Sequence, residues 1–180
     1  MPVIGTVKIR LRSLWIAVAA SAALAVPAAG SADPASTTFR IVGYEYAFTS
    51  TVGSFAGKGS GDANERAVWN TVVKHDRLGS DPAYVNGGSL ALTTRSASGR
   101  LDAIAGKLTY HGGTITTLSR GPDCTNQRYR VTATLQDVRT RTSTGGSGEF
   151  TVILTHYRKR LLGRCVAYKA RVAGTATFTY

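Results

Sequence analysis

Apolar and polar side chains alternate with a period of two along most of the chain after residue 35, which is typical of β-strands with one buried face. The clearest example is RYRVTATLQDV, where every second residue from Tyr129 to Leu135 is apolar. The other stretches of this kind are Thr38–Ser50, Arg66–Asp76, Ser89–Arg95, Leu101–His111, Thr114–Arg120, Glu149–Tyr157 and Cys165–Tyr180. No stretch after residue 35 shows the spacing of an amphipathic helix over three turns. The pattern therefore predicts an all-β protein.

Short glycine-rich or basic segments separate these stretches. GSFAGKGSGDAN (Gly53–Asn64) predicts a loop, Gly112-Gly113 predicts a two-residue hairpin turn, and RKRLLGR (Arg158–Arg164) predicts another turn. Seven or eight antiparallel strands with short connections must protect their sheet edges. We therefore expect a small antiparallel β-barrel, and the alternative is a β-sandwich.

The N-terminus has the three zones of a signal peptide. Three basic residues precede Leu14–Val26, an uncharged apolar run of 13 residues, and small residues follow. A membrane-spanning helix needs about 20 residues, so cleavage is favoured over anchoring. We predict a cleaved signal at residues 1–32, with Ala28 or Ala29 as alternative ends, and a single domain at residues 33–180. The small residues are not followed by a cysteine that could accept a lipid, so the protein is predicted to be secreted and extracellular.

The predicted mature chain is basic. The whole chain carries a formal charge of +12, and removal of residues 1–32 leaves 19 basic and 10 acidic residues, a charge of +9. Such a surface favours attraction to an anionic envelope polymer or to lipid head groups, and nucleic acid is a poor candidate outside the cell. The alternative is that the charge serves solubility alone.

The two cysteines, Cys124 and Cys165, form an even pair in a chain predicted to be exported, which predicts a disulfide. Closing a loop of this length stabilises a fold by roughly 4 kcal/mol in the chain-entropy model. The bridge would tie the loop before one strand to the start of the last strand.

Familiar catalytic patterns are missing from the sequence. GKGSGD lacks the spacing of a phosphate-binding loop, no GxSxG elbow occurs, and no two histidines have the spacing of a metal pair. We therefore predict no cofactor and no metal site, and a non-enzymatic role is favoured over an enzymatic one.

Two groups of residues are candidates for binding. Glu45, His75, Tyr129 and His156 each share the apolar face of a predicted strand, so they would line a ligand cavity or supply an acid or base. The alternative is a set of half-buried polar side chains at a barrel rim. The cluster Arg158, Lys159, Arg160 and Arg164 is the candidate anion-binding site, and its alternative is a solvated basic turn.

The segments GPDCTNQRYRV and FTVILTHYRKRLLGRCVAYKAR resemble uncharacterised secreted all-β proteins of high-GC Gram-positive bacteria, a resemblance that implies no known activity. FAGKGSG and the glycine-punctuated strands are similar in style to the allene oxide cyclase and dirigent barrels. That second resemblance implies a barrel and matches no catalytic set.

Three functional hypotheses follow. The first is a secreted basic binding protein for an anionic envelope component or a small apolar molecule. The second is a cyclase or isomerase of the allene oxide cyclase kind. The third is an outer-membrane barrel, because the chain ends in alternating residues and a terminal aromatic.

Overall fold

The computed structural model describes residues 35–62, 65–79, 81–122 and 124–180, and these form eight β-strands. The predicted signal peptide, residues 1–32, lies outside the described residues. The strands are β1 (Ser36–Phe48), β2 (Val52–Gly61), β3 (Arg66–His75), β4 (Ala83–Arg95), β5 (Leu101–Arg120), β6 (Gln127–Arg139), β7 (Gly146–Leu161) and β8 (Arg164–Thr179).

Each strand pairs antiparallel with the next in sequence, and β8 pairs with β1 to close a barrel. The predicted antiparallel barrel of seven or eight strands is confirmed, with eight strands, and the sandwich alternative is wrong. Because the barrel is closed, no strand is left with an open edge along the paired length. The backbone N–H and C=O groups of the first and last strands are therefore paired with each other. In the part of the chain that the structure describes, no helix is long and apolar enough to cross a lipid bilayer.

Alternating residues of the strands fill the interior, as the period of two predicts. The largest side chains that are fully shielded from solvent are three phenylalanines, Phe39, Phe150 and Phe178. The rings of Phe39 and Phe178 meet edge to face with centroids 6.2 Å apart. At the same end, Tyr180 donates its backbone N–H to the Ala35 carbonyl, so the C-terminus is held against the start of β1.

The prediction of a loop at Gly53–Asn64 is wrong, because most of that segment is β2. Glycine is needed there for close approach and not for a turn. A Cβ on Gly57 would collide with the Val42 carbonyl and lie 2.8 Å from Nε1 of Trp69. That indole N–H donates to the carbonyls of Val42 and Lys58, both at 3.1 Å.

The predicted hairpin turn at Gly112-Gly113 is also wrong, because both glycines lie inside β5, a strand of 20 residues. The register instead jumps between Leu108 and Gly113, which marks an enlarged bulge in the strand. His111 within it has a φ of 54°, in the left-handed region. The glycines permit this bulge and the close approach of β6, since a Cβ on Gly113 would collide with the Thr132 carbonyl.

Substitution of Gly57 by alanine tests the steric role of glycine in β2. We expect Gly57→Ala to lower the free energy of unfolding by about 2–3 kcal/mol, because the added methyl group would collide with the Val42 carbonyl and crowd Trp69. Gly79→Ala is the matched control, since a Cβ there meets nothing within 4 Å. Denaturant unfolding of both variants measures the difference, and equal stability would contradict this account.

Candidate functional site

Four of the connections between strands lie at one end of the barrel, because the chain reverses direction at every strand. They join β1 to β2, β3 to β4, β5 to β6 and β7 to β8. The Cys124–Cys165 disulfide, with an S–S distance of 2.07 Å, links the β5–β6 connection to the start of β8. The predicted disulfide is confirmed, and we call this end the disulfide end. The predicted residues Glu45, His75, Tyr129 and His156 lie near it.

Glu45 and His156 form a buried polar pair at this end. Nε2 of His156 lies 2.8 Å from Oε2 of Glu45, and the two side chains are 14% and 5% exposed, respectively. Because a carboxylate oxygen accepts, the imidazole N–H is the donor. Gly53 makes room for the carboxylate, since a Cβ there would lie 2.9 Å from Oε1 of Glu45.

The pair spans the place where the first and last strands separate. The last rung between β1 and β8 joins Tyr44 to Arg171, and Glu45 is the next residue of β1. His156 approaches from β7, where it is opposite Ala170 of β8. The side-chain contact therefore continues the closure of the barrel for one residue beyond its backbone hydrogen bonds.

His75 and Tyr129 complete the group on the inside. His75 is buried, and its Nδ1 donates to the Asp76 carbonyl at 2.6 Å. Tyr129 donates its hydroxyl to Oε1 of Gln127, and its ring meets the His156 ring edge to face at 5.6 Å. The fold thus brings together the four residues that the alternation had placed on separate strands.

A small cavity lies among these residues. Glu45, His75 and His156 line it together with Phe55, Leu154 and other apolar side chains, and its volume is about 50 Å³. One water takes about 30 Å³ of liquid volume, so the cavity suits one or two waters. The carboxylate and the imidazole have the contact that acid–base chemistry requires, but a substrate would need this end of the barrel to open.

Asp76 organises the β3–β4 connection next to His75. Nδ2 of Asn86 donates to one carboxylate oxygen at 2.7 Å, and the backbone N–H of Tyr84 donates to the other at 3.2 Å. These hydrogen bonds, that from Asn86 foremost, lower the pKa of Asp76 below its usual value of 3.8.

The predicted anion cluster is not confined to one turn. Arg158, Lys159 and Arg160 belong to β7, and the turn itself is Leu162-Gly163, where both residues have positive φ. Adjacent strand residues point to opposite faces, so Lys159 points away from Arg158 and Arg160. The predicted turn within RKRLLGR is confirmed, but it is confined to Leu162-Gly163, because the strands run on through the rest of the segment.

A larger concavity lies on the outside of the barrel, where β1 and β8 separate. It has a volume of about 820 Å³ and is lined by twelve residues. Seven of these are Glu45 and six glycine or apolar residues, and the other five are three cations and two tyrosines: Lys58, Lys169, Arg171, Tyr44 and Tyr168. Nζ of Lys159 lies 5.2 Å from the centre of the Tyr168 ring, so one member of the predicted cluster adjoins it. Glu45 lines both this groove and the inner cavity, so its pair with His156 is the partition between them.

Sequence reasoning missed the groove, which we name the seam groove. Its residues come from β1, β2 and β8, and only closure of the barrel brings β8 beside β1. The available signal was the outward position of Lys169 and Arg171 in the alternation of β8. Among the described residues, no group of three His, Cys, Asp or Glu side chains is placed to hold a metal ion.

Comparisons of the chain with protein-family models, with curated proteins and with solved structures find no match.

Removal of His156 tests the buried pair. We expect His156→Ala to lower the free energy of unfolding by about 3 kcal/mol, because the Glu45 carboxylate loses its partner in a buried position. The matched control is Lys107→Ala. It removes an ion pair in which Nζ of Lys107 lies 2.9 Å from Oδ2 of Asp137, and these two side chains are 64% and 48% exposed. Exposed pairs contribute less than about 1 kcal/mol. Equal losses in the two variants would contradict a role for burial.

The lowered pKa of Asp76 predicts a pH dependence of stability. A carboxyl whose pKa is lower in the folded state stabilises the fold above its unfolded pKa of about 3.9, and this stabilisation disappears as pH falls through the folded value. We therefore expect wild type to exceed Asp76→Asn in stability at neutral pH, and the difference to shrink below about pH 4. Chemical unfolding of both proteins across the acidic range measures it, and a difference independent of pH would contradict the assignment.

Proposed function

We propose that this chain is a secreted, non-enzymatic binding protein that holds an anionic, phosphate-bearing envelope polymer in the seam groove. The observation that carries the proposal is the composition of the groove, three cations and two tyrosines around about 820 Å³ of open space. Arg171 offers a planar fork of donors to phosphate oxygens, and the lysines offer point charges. The tyrosine rings offer apolar area to the carbon skeleton between the phosphates.

The charge distribution of the neighbouring strands supports the same partner. From Phe150 to Tyr180 the chain contains six Lys and Arg residues and no acid. The one acid of β1, Glu45, faces inwards and is bonded to His156. The strands that flank the groove therefore present positive charge to solvent, which raises the local concentration of a polyanion.

The filled interior and the polar exterior favour binding on the outer surface over an internal ligand, a cyclase site or an outer-membrane barrel. Apolar side chains fill it, and the cavity beside Glu45 and His156 holds only about 50 Å³. A small apolar ligand or a cyclase substrate needs roughly 300 Å³ or more. The exterior is also polar in places where lipid would meet it, since Arg66, Asn70 and Lys74 of β3 are all exposed.

Export remains a prediction from the N-terminal sequence. The Cys124–Cys165 disulfide is compatible with it, because disulfides persist in oxidising compartments. An envelope polymer is an anion that an exported protein of this charge would attract.

The double variant Lys169→Gln/Arg171→Gln tests the proposal. We expect it to weaken binding to soluble poly(glycerol phosphate) at least tenfold, because each charge-assisted hydrogen bond contributes roughly 1.5–3 kcal/mol. Isothermal titration at low and moderate salt measures the affinity, and wild-type binding should fall steeply as salt rises.

The control is Lys74→Gln/Arg95→Gln, which removes two exposed cations from β3 and β4. This control has the same net charge as the test variant, so it separates a local site from general attraction. Equal weakening by both variants, or no binding of wild type to the polymer, would overturn the proposal.

A further inference from the structure

The hairpin formed by β7 and β8 extends beyond the rest of the barrel. Its rungs continue from Tyr157–Lys169 to Leu161–Arg164. By contrast, the last β6–β7 rung is at His156, and the last β1–β8 rung is at Arg171. In the described part of the chain, the outer five residues of β7 therefore have a strand neighbour on one side only. At about 3.4 Å per residue they reach roughly 17 Å past the last shared rung.

The tip of this hairpin is apolar and exposed to solvent. Leu162 is 96% exposed, and Leu161 beside it is 53% exposed. Leu162 also adopts a φ of 48°, followed by Gly163 at 75°, the pattern of a two-residue turn with positive φ at both positions. Asn or Asp is the favoured residue at the first of these positions, so leucine there is both conformationally strained and unprotected.

The fold holds this tip firmly in place. Cys165 pairs with Arg160 in the rung before the last one of the hairpin, and its disulfide ties the hairpin to the β5–β6 connection. The backbone N–H of Arg158 donates to Oδ1 of Asn126 in the same connection. A rigid projection loses little conformational entropy when it binds, which favours a docking role.

Cations surround the two leucines. Lys159 and Arg164 lie within three residues of Leu162, and both are exposed. Neither strand carries an acid from Phe150 onwards. An apolar tip ringed by positive charge matches the boundary of an anionic bilayer, where acyl chains lie beneath phosphate groups.

We propose that the β7–β8 hairpin docks on an anionic lipid surface, with Leu161 and Leu162 entering the head-group and acyl boundary and the surrounding Lys and Arg contacting lipid phosphates. Burial of a leucine side chain is equivalent to roughly a ten- to hundredfold gain in binding. Each cation near such a surface adds about fivefold. This activity is separate from polymer binding in the seam groove, although both sites lie at the disulfide end.

The variant Leu162→Asn separates docking from folding, because Asn-Gly is a preferred pair for this turn. We expect it to unfold at the same or a higher denaturant concentration than wild type and to bind phosphatidylglycerol vesicles at least tenfold more weakly. Co-sedimentation with vesicles of phosphatidylglycerol and of phosphatidylcholine measures binding, and wild type should prefer the anionic ones. Leu101→Asn is the matched control, since Leu101 is 54% exposed at the opposite end of the barrel, and it should bind as wild type does.

Three results would overturn the docking proposal. The first is no binding of wild type to anionic vesicles, and the second is equal binding by wild type and Leu162→Asn. The third is a wild-type dimer that Leu162→Asn converts to a monomer in the absence of lipid, which would assign the tip to a second copy of this chain. Binding of Leu162→Asn to soluble poly(glycerol phosphate) should equal that of wild type, so failure of docking and failure of the groove are distinguished.

Discussion

The pairing of the first strand with the last is the constraint on which the rest of the structure depends. β1 and β8 share nine rungs, from Ser36–Thr179 to Tyr44–Arg171, whereas β7 and β8 share fifteen. The barrel is therefore closed along part of its height, and β8 continues without β1. Two features follow from that mismatch: the seam groove outside, and the Glu45–His156 contact across the gap. The β7–β8 hairpin also extends past the last β6–β7 rung at His156.

Close backbone approach is the second constraint, and it explains the glycine content of β2. Trp69 lies against β1 and β2, with its ring beside Gly43 and its Nε1 beside Gly57, and it donates to carbonyls on both strands. A side chain of this size fits in an eight-stranded barrel only where its neighbours are small. The glycines that suggest a flexible loop are thus part of the rigid wall, and they secure β1 near the place where it leaves β8.

The sequence predicts the strands well because the period of two is a local property. The inward positions of Glu45, His75, Tyr129 and His156 follow from that alternation. The disulfide follows from the even number of cysteines. The contact between Glu45 and His156 joins residues 111 positions apart and depends on the closing register, for which neither strand carries a local signal. The loop expected at Gly53–Asn64 and the turn expected at Gly112-Gly113 failed for a common reason. Glycine serves turns and close backbone approach equally well, and only tertiary packing separates the two.

The two ends of the barrel have different physical characters, which bears on how the protein would meet a surface. At one end the Phe39–Phe178 contact and the Tyr180–Ala35 hydrogen bond close the structure with ordinary packing. At the disulfide end the chain keeps features that cost stability: a buried carboxylate and a leucine with positive φ. Strain and exposed apolar area persist in proteins where function requires them. The disulfide, worth roughly 4 kcal/mol in the chain-entropy model, lies at this same end, where it offsets that cost and holds the hairpin in the orientation that both proposed sites need.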